Sequence, residues 1–159
     1  MSQNSPYTDP KQALQFSEAG NYRIGIVTAK WNDDITAQLE KGAVEMLNKL
    51  GVKPENILLK KVPGSFELPL GAQKLLEAKK VDALLCFGCI IQGDTRHFDY
   101  VCQATTDGIM QVGLKYNTPV IFGVLTVNDH QQALDRVGGS HGHKGEEAAI
   151  TALEMLQGA

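Results

Sequence analysis

The run VDALLCFGCII at residues 81–91, followed by QGDTRHFDY at 92–100, decides how the rest of the chain reads. From Ala83 to Ile91 every position is apolar, so neither face of a strand there is suited to water. Such a run marks a strand covered on both faces, the habit of parallel sheets flanked by helices. A helical pattern follows from about 98 to 116. Between them lie Gly93, two acids, Arg96, His97 and two aromatic residues. A plain strand-to-helix connection needs a turn residue and a cap, so this junction carries more chemistry than a turn requires.

Outward from that unit the same alternation repeats. Residues 22–27 (YRIGIV) read as a first strand. Over 33–50, Ile35, Leu39, Ala43, Met46, Leu47 and Leu50 recur at helical spacing, and Gly51 ends the helix. Residues 56–62 make a second strand and 66–79 a second helix, with Pro69 tolerable in its first turn. The strand at 81–91 is third, and 119–127 (PVIFGVLTV) is fourth. Two helical stretches close the chain, 129–137 and 144–156, split by the glycine-rich Gly138-Gly139-Ser140-His141-Gly142. Strands alternating with helices imply βαβ units. The expected fold is a three-layer α/β/α sandwich, flavodoxin-like, with a four-stranded parallel sheet and helices on both faces. Residues 1–20, polar and carrying Pro6, Pro10 and Gly20, read as an N-terminal arm, flexible or packed on a neighbouring subunit. Residues 21–159 read as one domain.

Composition narrows the function classes. A chain of 159 residues with 43% hydrophobic content can bury a core. Its formal net charge of −3 and lack of a basic block argue against nucleic acid as a partner. No apolar run nears the roughly 20 residues that span a bilayer, so no membrane is expected. The N-terminus has no basic and apolar leader pattern. Three cysteines without a framework spacing suit a reducing, cytoplasmic setting.

The unusual residues gather after the strands. Ala29-Lys30-Trp31-Asn32 follows the first and holds the only tryptophan; Val62-Pro63-Gly64-Ser65-Phe66-Glu67 follows the second. The junction at 92–97 follows the third, and Asn128-Asp129-His130 the fourth. In an open parallel sheet ligands bind beyond the carboxyl ends of the strands. There Trp31 and Phe66 offer faces for a planar heterocycle, and Glu67 can accept hydrogen bonds. Gly93, Asp94 and Thr95 offer backbone N–H groups at a helix start, where the dipole favours an anion. His97 beside them can move protons near neutral pH. Each residue also has an ordinary reading: Trp31 as core or interface, Glu67 as a dipole-favoured first-turn acid, Gly93 as a turn, His97 as incidental. It is their convergence on one edge that favours a small-molecule site.

Two patterns are set aside. Cys86 and Cys89 match C-x-x-C but fall in mid-strand, on opposite faces, and not at a helix N-terminus where a redox pair belongs. His141 and His143, with His97 and His130, fit no zinc spacing, so no metal is expected. Arg136, Phe122 and Lys144 lie off the rim; helix-end and core roles suit Arg136 and Phe122, while Lys144 at a helix N-terminus is less natural.

From Arg23 to Leu156 the chain resembles the lumazine synthase family, the penultimate enzymes of riboflavin biosynthesis. GIVTAKWN, VPGSFELP, GCIIQGDTRHFDYV, PVIFGVLTVNDHQQALDR and GHKGEEAA carry the resemblance, in order and spacing. It implies condensation of 5-amino-6-ribitylamino-pyrimidinedione with 3,4-dihydroxy-2-butanone 4-phosphate, giving 6,7-dimethyl-8-ribityllumazine, phosphate and water, with no cofactor. By resemblance Trp31 stacks on the pyrimidine. Ser65, Phe66 and Glu67 hold the ribityl chain, and Ile90 and Ile91 lie beside the ring. Asp94 and Thr95 meet the phosphate through their amides, and His97 transfers protons. Arg136 and Lys144 supply positive charge at the phosphate and Phe122 an aromatic group, all three from the neighbouring subunit.

Ser140 stands where many members have lysine, and Asp94 where many have alanine; neither change removes an essential group. Asp99 is a candidate to orient His97, and Arg96 is expected at the surface or a subunit contact. The resemblance also implies a homo-oligomer of pentamers with sites between subunits. Some members build twelve pentamers into a shell, and riboflavin synthase is a candidate partner. A flavin or lumazine carrier, and a shell protein with a vestigial pocket, are the competing readings.

Overall fold

The computed structural model describes residues 15–78 and 80–158. Its strands are β1 (Ile24–Ala29), β2 (Ile57–Val62), β3 (Ala83–Ile91) and β4 (Val120–Val127), all parallel in the order β2-β1-β3-β4. The helices are α1 (Asp33–Lys49), α2 (Leu68–Ala78), α3 (His97–Tyr116), the short α4 (His130–Leu134) and α5 (Lys144–Gln157). This is a three-layer, flavodoxin-like α/β/α sandwich. The strand order reverses between β1 and β3, and a crevice opens at such a switch point beyond the strand ends.

Alternation along β3 feeds two cores. Leu85, Phe87 and Cys89 pack with Ile35, Leu39 and Leu47 of α1 and Ala149 and Leu153 of α5. Leu84 and Cys86 face the other way, onto Leu68 and Leu75 of α2 and Ile109 and Val112 of α3. Helix α1 forms because Ile35, Leu39, Ala43 and Leu47 repeat every fourth residue and are wholly buried. Asp33 and Asp34 favour its start, and Gly51, at φ +103°, lets the chain turn away after it. Truncating Leu39 to alanine would cost about 2–5 kcal/mol in lost burial and cavity.

The structure departs from the sequence-based expectations at several ends. The first strand runs Ile24–Ala29, two residues later than 22–27, because pairing with β2 and β3 sets its limits. Ile24 faces both Ile57 and Ala83, while the Arg23 N–H donates to the Asp82 carboxylate at 2.7 Å. The second helix opens with a 3-10 turn, Ser65–Glu67, before α2; Lys79, expected at its end, lies outside the described residues. The largest correction concerns 129–137. Only His130–Leu134 is helical, and Val137–Gly139 (β5) pairs antiparallel with Gly142–His143 (β6). Gly138 and Gly142, at φ +111° and +73°, supply the left-handed conformations that close this hairpin, and the β-branched Val137 suits a strand. Of the expected arm, residues 1–14 lie outside the described residues; Phe16 packs against the core and Ala19 is buried.

Candidate active site

Backbone hydrogen bonds join the loops after β1 and β2 into one rim. The Lys30 N–H donates to the carbonyls of Val62 (2.9 Å) and Pro63 (3.2 Å), and the Trp31 N–H also reaches Pro63 (3.2 Å). Asn32 adopts a left-handed conformation (φ 55°), tolerated by asparagine, and its Nδ2 donates to the Cys89 carbonyl of β3 at 2.8 Å. The Trp31 ring stands beside Gly64 and is 73% exposed; Phe66 is 61% exposed. Two large aromatic faces left open at a sheet's carboxyl edge are available for stacking.

Glu67 is only partly free. One of its carboxylate oxygens accepts the Gly64 N–H at 2.9 Å, closing the turn, and the other remains for a ligand. Glutamate three residues after the start of a helical turn is a capping-box spacing readable in the sequence. In the same turn Phe66 is open while the Ser65 side chain is buried against β3. A Cβ on Gly88 would lie 2.5 Å from its Oγ, so only glycine there admits the hydroxyl. Ile90 and Ile91 end β3 half-buried, opposite Thr126 and Val127.

After β3, Gly93, Asp94, Thr95, Arg96 and His97 are all exposed. Among the described residues no protein group accepts from the N–H groups of Gly93, Asp94 or Thr95. The Thr95 hydroxyl instead accepts from the His97 N–H at 3.4 Å, so α3 begins at His97, one residue earlier than expected. Three unused donors thus precede a 20-residue helix, at the end where its dipole favours negative charge. Asp99 does not orient the imidazole: its carboxylate lies 3.9 Å from Arg96 Nε, an exposed pair worth little.

Arg136, Phe122 and Lys144 stand apart. Phe122 (37% exposed) and Lys144 line a groove of about 530 Å³ between β4 and α5, which contains none of Trp31, Phe66, Glu67 or His97. Lys144 Nζ donates to both Glu147 oxygens at 2.9 Å, which answers why a lysine tolerates a helix start. Arg136 caps α4, its Nη1 donating to the Gln132 carbonyl at 2.7 Å, and its own carbonyl accepts from the Lys144 N–H at 2.8 Å. The hairpin therefore fixes both cations on one unit.

The thiols of Cys86 and Cys89 are buried. Burial pushes Cys86 up to about 12, and burial with the nearby Asp34 charge pushes Cys89 up to about 11. They belong to opposite cores, so the C-x-x-C match is packing. Among the described residues no three histidine, cysteine, aspartate or glutamate side chains are grouped to hold a metal ion.

A family model described as 6,7-dimethyl-8-ribityllumazine synthase matches residues 21–158. The chain belongs to that family. A 6,7-dimethyl-8-ribityllumazine synthase of Cytophaga hutchinsonii is 60% identical over 133 residues, covering 84% of each chain. One from Parabacteroides distasonis is 53% identical over 139 residues, covering 87% of each. Another, from Phocaeicola vulgatus, is 51% identical over 138 residues, or 87% of this chain and 82% of its own. Within one subunit, the rim carries the exposed aromatic side chains and His97, whereas Lys144 lines the separate β4–α5 groove and Arg136 lies at the end of α4. Sequence reasoning missed the Pro63 carbonyl that holds Trp31, and the bond from Asn32 to Cys89. Neither carries a local signal, because each depends on loops meeting in space.

Proposed function

We propose that this chain condenses 5-amino-6-ribitylamino-pyrimidinedione with 3,4-dihydroxy-2-butanone 4-phosphate. The products are 6,7-dimethyl-8-ribityllumazine, phosphate and water, in a site completed between neighbouring copies. The observation that carries it is the match over residues 21–158, combined with a rim whose aromatic faces, N–H donors and imidazole are exposed. Trp31 and Phe66 take the pyrimidine, and Glu67, Ile90 and Ile91 bound it, with Ser65 shaping the pocket floor from within. The Asp94 and Thr95 amides hold the phosphate, and Arg136 with Lys144 of the neighbour complete its charge while the neighbour's Phe122 covers the ring.

The chemistry matches these groups. The amine attacks the ketone and loses water as an imine; phosphate leaves; the enol tautomerises to a ketone; the ribitylamino nitrogen closes the ring on that carbonyl, and a second water leaves. Protons move at each step, and His97 can give and take them. No nucleophile from the protein is needed, because holding two reactants together accounts for much of the acceleration.

An oligomer is supported by large apolar side chains left in water. Tyr100, Met110 and Leu114 of α3, Leu59 of β2 and Phe122 of β4 are all exposed. A pentamer, alone or within a shell, is the proposed assembly, with the cytoplasm as its compartment. Among the described residues no helix is long and apolar enough to cross a membrane.

The direct test mixes protein with both substrates and follows the absorbance and fluorescence of the lumazine. Product forming no faster than without protein would favour a carrier or a shell. Shared sites are tested by reassembling His97→Ala and Arg136→Ala subunits together. With butanone phosphate held well below the KM of Arg136→Ala, partial recovery of activity is expected, since some interfaces then pair an intact rim with an intact arginine; no recovery would place both residues in one subunit's site.

A further inference from the structure

Beneath the rim sits a charged cluster that the reaction does not use. Thr28 of β1 and Lys61 of β2 are directly opposite each other in the parallel ladder. From α1, Glu40 reaches both: its Oε2 accepts from the Thr28 hydroxyl and lies 3.1 Å from Lys61 Nζ. Thr28 is wholly buried, and the side chains of Glu40 and Lys61 are 16% and 37% exposed. A carboxylate this shielded loses part of its hydration and needs its partners, while a part-exposed pair with Lys61 adds little to stability. Its presence calls for a role in placement.

That role follows from what lies one pair further along. Ala29 and Val62 are the last ladder partners, and beyond them Lys30 and Trp31 hang from the carbonyls of Val62 and Pro63. The Thr36 hydroxyl of α1 donates to the Ala29 carbonyl at 2.8 Å, fixing the helix to the same strand end. Among the described residues β2 is an edge strand, paired with β1 alone. Its carboxyl end therefore gains lateral support from Glu40. Trp31, so exposed, is oriented by its backbone more than by packing.

We infer that Glu40 is a positioning residue: through Thr28 and Lys61 it locks the ends of β1 and β2, and so sets the spacing between Trp31 and the Ser65–Glu67 turn. This rests on the proposed reaction for its kinetic readout, but Trp31, the only tryptophan, also reports without substrate.

The expected result is that Glu40→Ala raises the KM for the pyrimidine substrate about tenfold, since small misplacements of a binding group are costly. The KM for the butanone phosphate and the kcat should stay within about threefold. In the substrate-free protein, Trp31 emission and its quenching by acrylamide should change. Glu40→Gln, which keeps an acceptor for both partners, should restore wild-type fluorescence and most of the affinity. Where Glu40→Ala does not fold, Lys61→Met carries the same expectations. Equal rises in both KM values, or Trp31 fluorescence unmoved by Glu40→Ala or Lys61→Met, would overturn the inference. Wild-type protein that makes no lumazine would sink the proposed reaction instead, and the fluorescence would still judge Glu40.

Discussion

The rim and the β4–α5 groove carry comparable chemistry in opposite conditions. At the rim, Trp31, Phe66 and His97 face water, and the turn at 93–95 keeps its N–H groups unused. In the groove and its hairpin, each cation already has a partner: Lys144 the Glu147 carboxylate, Arg136 the Gln132 carbonyl. Open groups can meet a substrate without losing internal bonds. Paired ones serve first as structure, and meeting a ligand would mean sharing or exchanging those internal bonds. The difference teaches that open and internally paired groups occupy separate regions of one subunit, as the proposed shared site requires.

The sharpest way to break this comparison is at His97. His97→Ala should lower kcat about 10²- to 10⁴-fold, the usual range for losing general acid–base catalysis, with substrate KM values little changed. Steady-state kinetics check it; an unchanged kcat would deny the rim its reactive role. Next, Arg136→Ala should raise the KM for the phosphate substrate about tenfold or more, as loss of a charge-assisted hydrogen bond does, with kcat nearly intact. Equal effects on both substrates would blur the two regions.

Smaller again is Glu147→Gln. It removes the partner of Lys144 at two largely buried side chains and should cost about 1 kcal/mol in a denaturant titration. It should also tighten phosphate binding modestly by freeing the ammonium, whereas weaker binding would show that Glu147 orients Lys144 for the ligand.

Furthest from the substrate lies the effect of the buried thiols, which shows only at alkaline pH. Because the fold raises Cys86 to about 12 from an ordinary 9.0, the native protein holds that proton where an unfolded chain would release it. The contribution of Cys86 is complete below pH 9 and is lost as pH rises toward 12, so stability should fall across that window. Cys86→Ala should flatten this slope although it lowers overall stability. An undiminished slope would assign the alkaline loss to other groups.

Much of the fold was legible because its signals are local. Unbroken apolarity from Ala83 to Ile91 marked a doubly covered strand, and the fourfold repeat of Ile35, Leu39, Ala43 and Leu47 marked a helix face. The hairpin at 137–143 was not, since Ala133, Leu134 and Val137 also suit a helix; Val137 pairs with His143 only because two glycines turn the chain back. At the site, residue types and their place after strands pointed to Trp31, Glu67 and His97. The burial of Ser65 against Gly88 could not be read, because it depends on how closely a turn approaches a neighbouring strand.

By itself, then, the sequence determined the alternation of strands and helices, the edge on which unusual residues gather, and the family. Those rest on periodicity and on residue type, which act over a few neighbours along the chain. Only the tertiary structure decided which groups are spent and which are open. Glu67 gives one oxygen to Gly64, Asp99 turns to Arg96, Lys144 to Glu147, and Glu40 bridges Thr28 and Lys61. Hydrogen bonds and ion pairs are set by distances of a few ångströms between segments, and register across β1 and β2 brings Thr28 and Lys61 together from positions far apart in the chain.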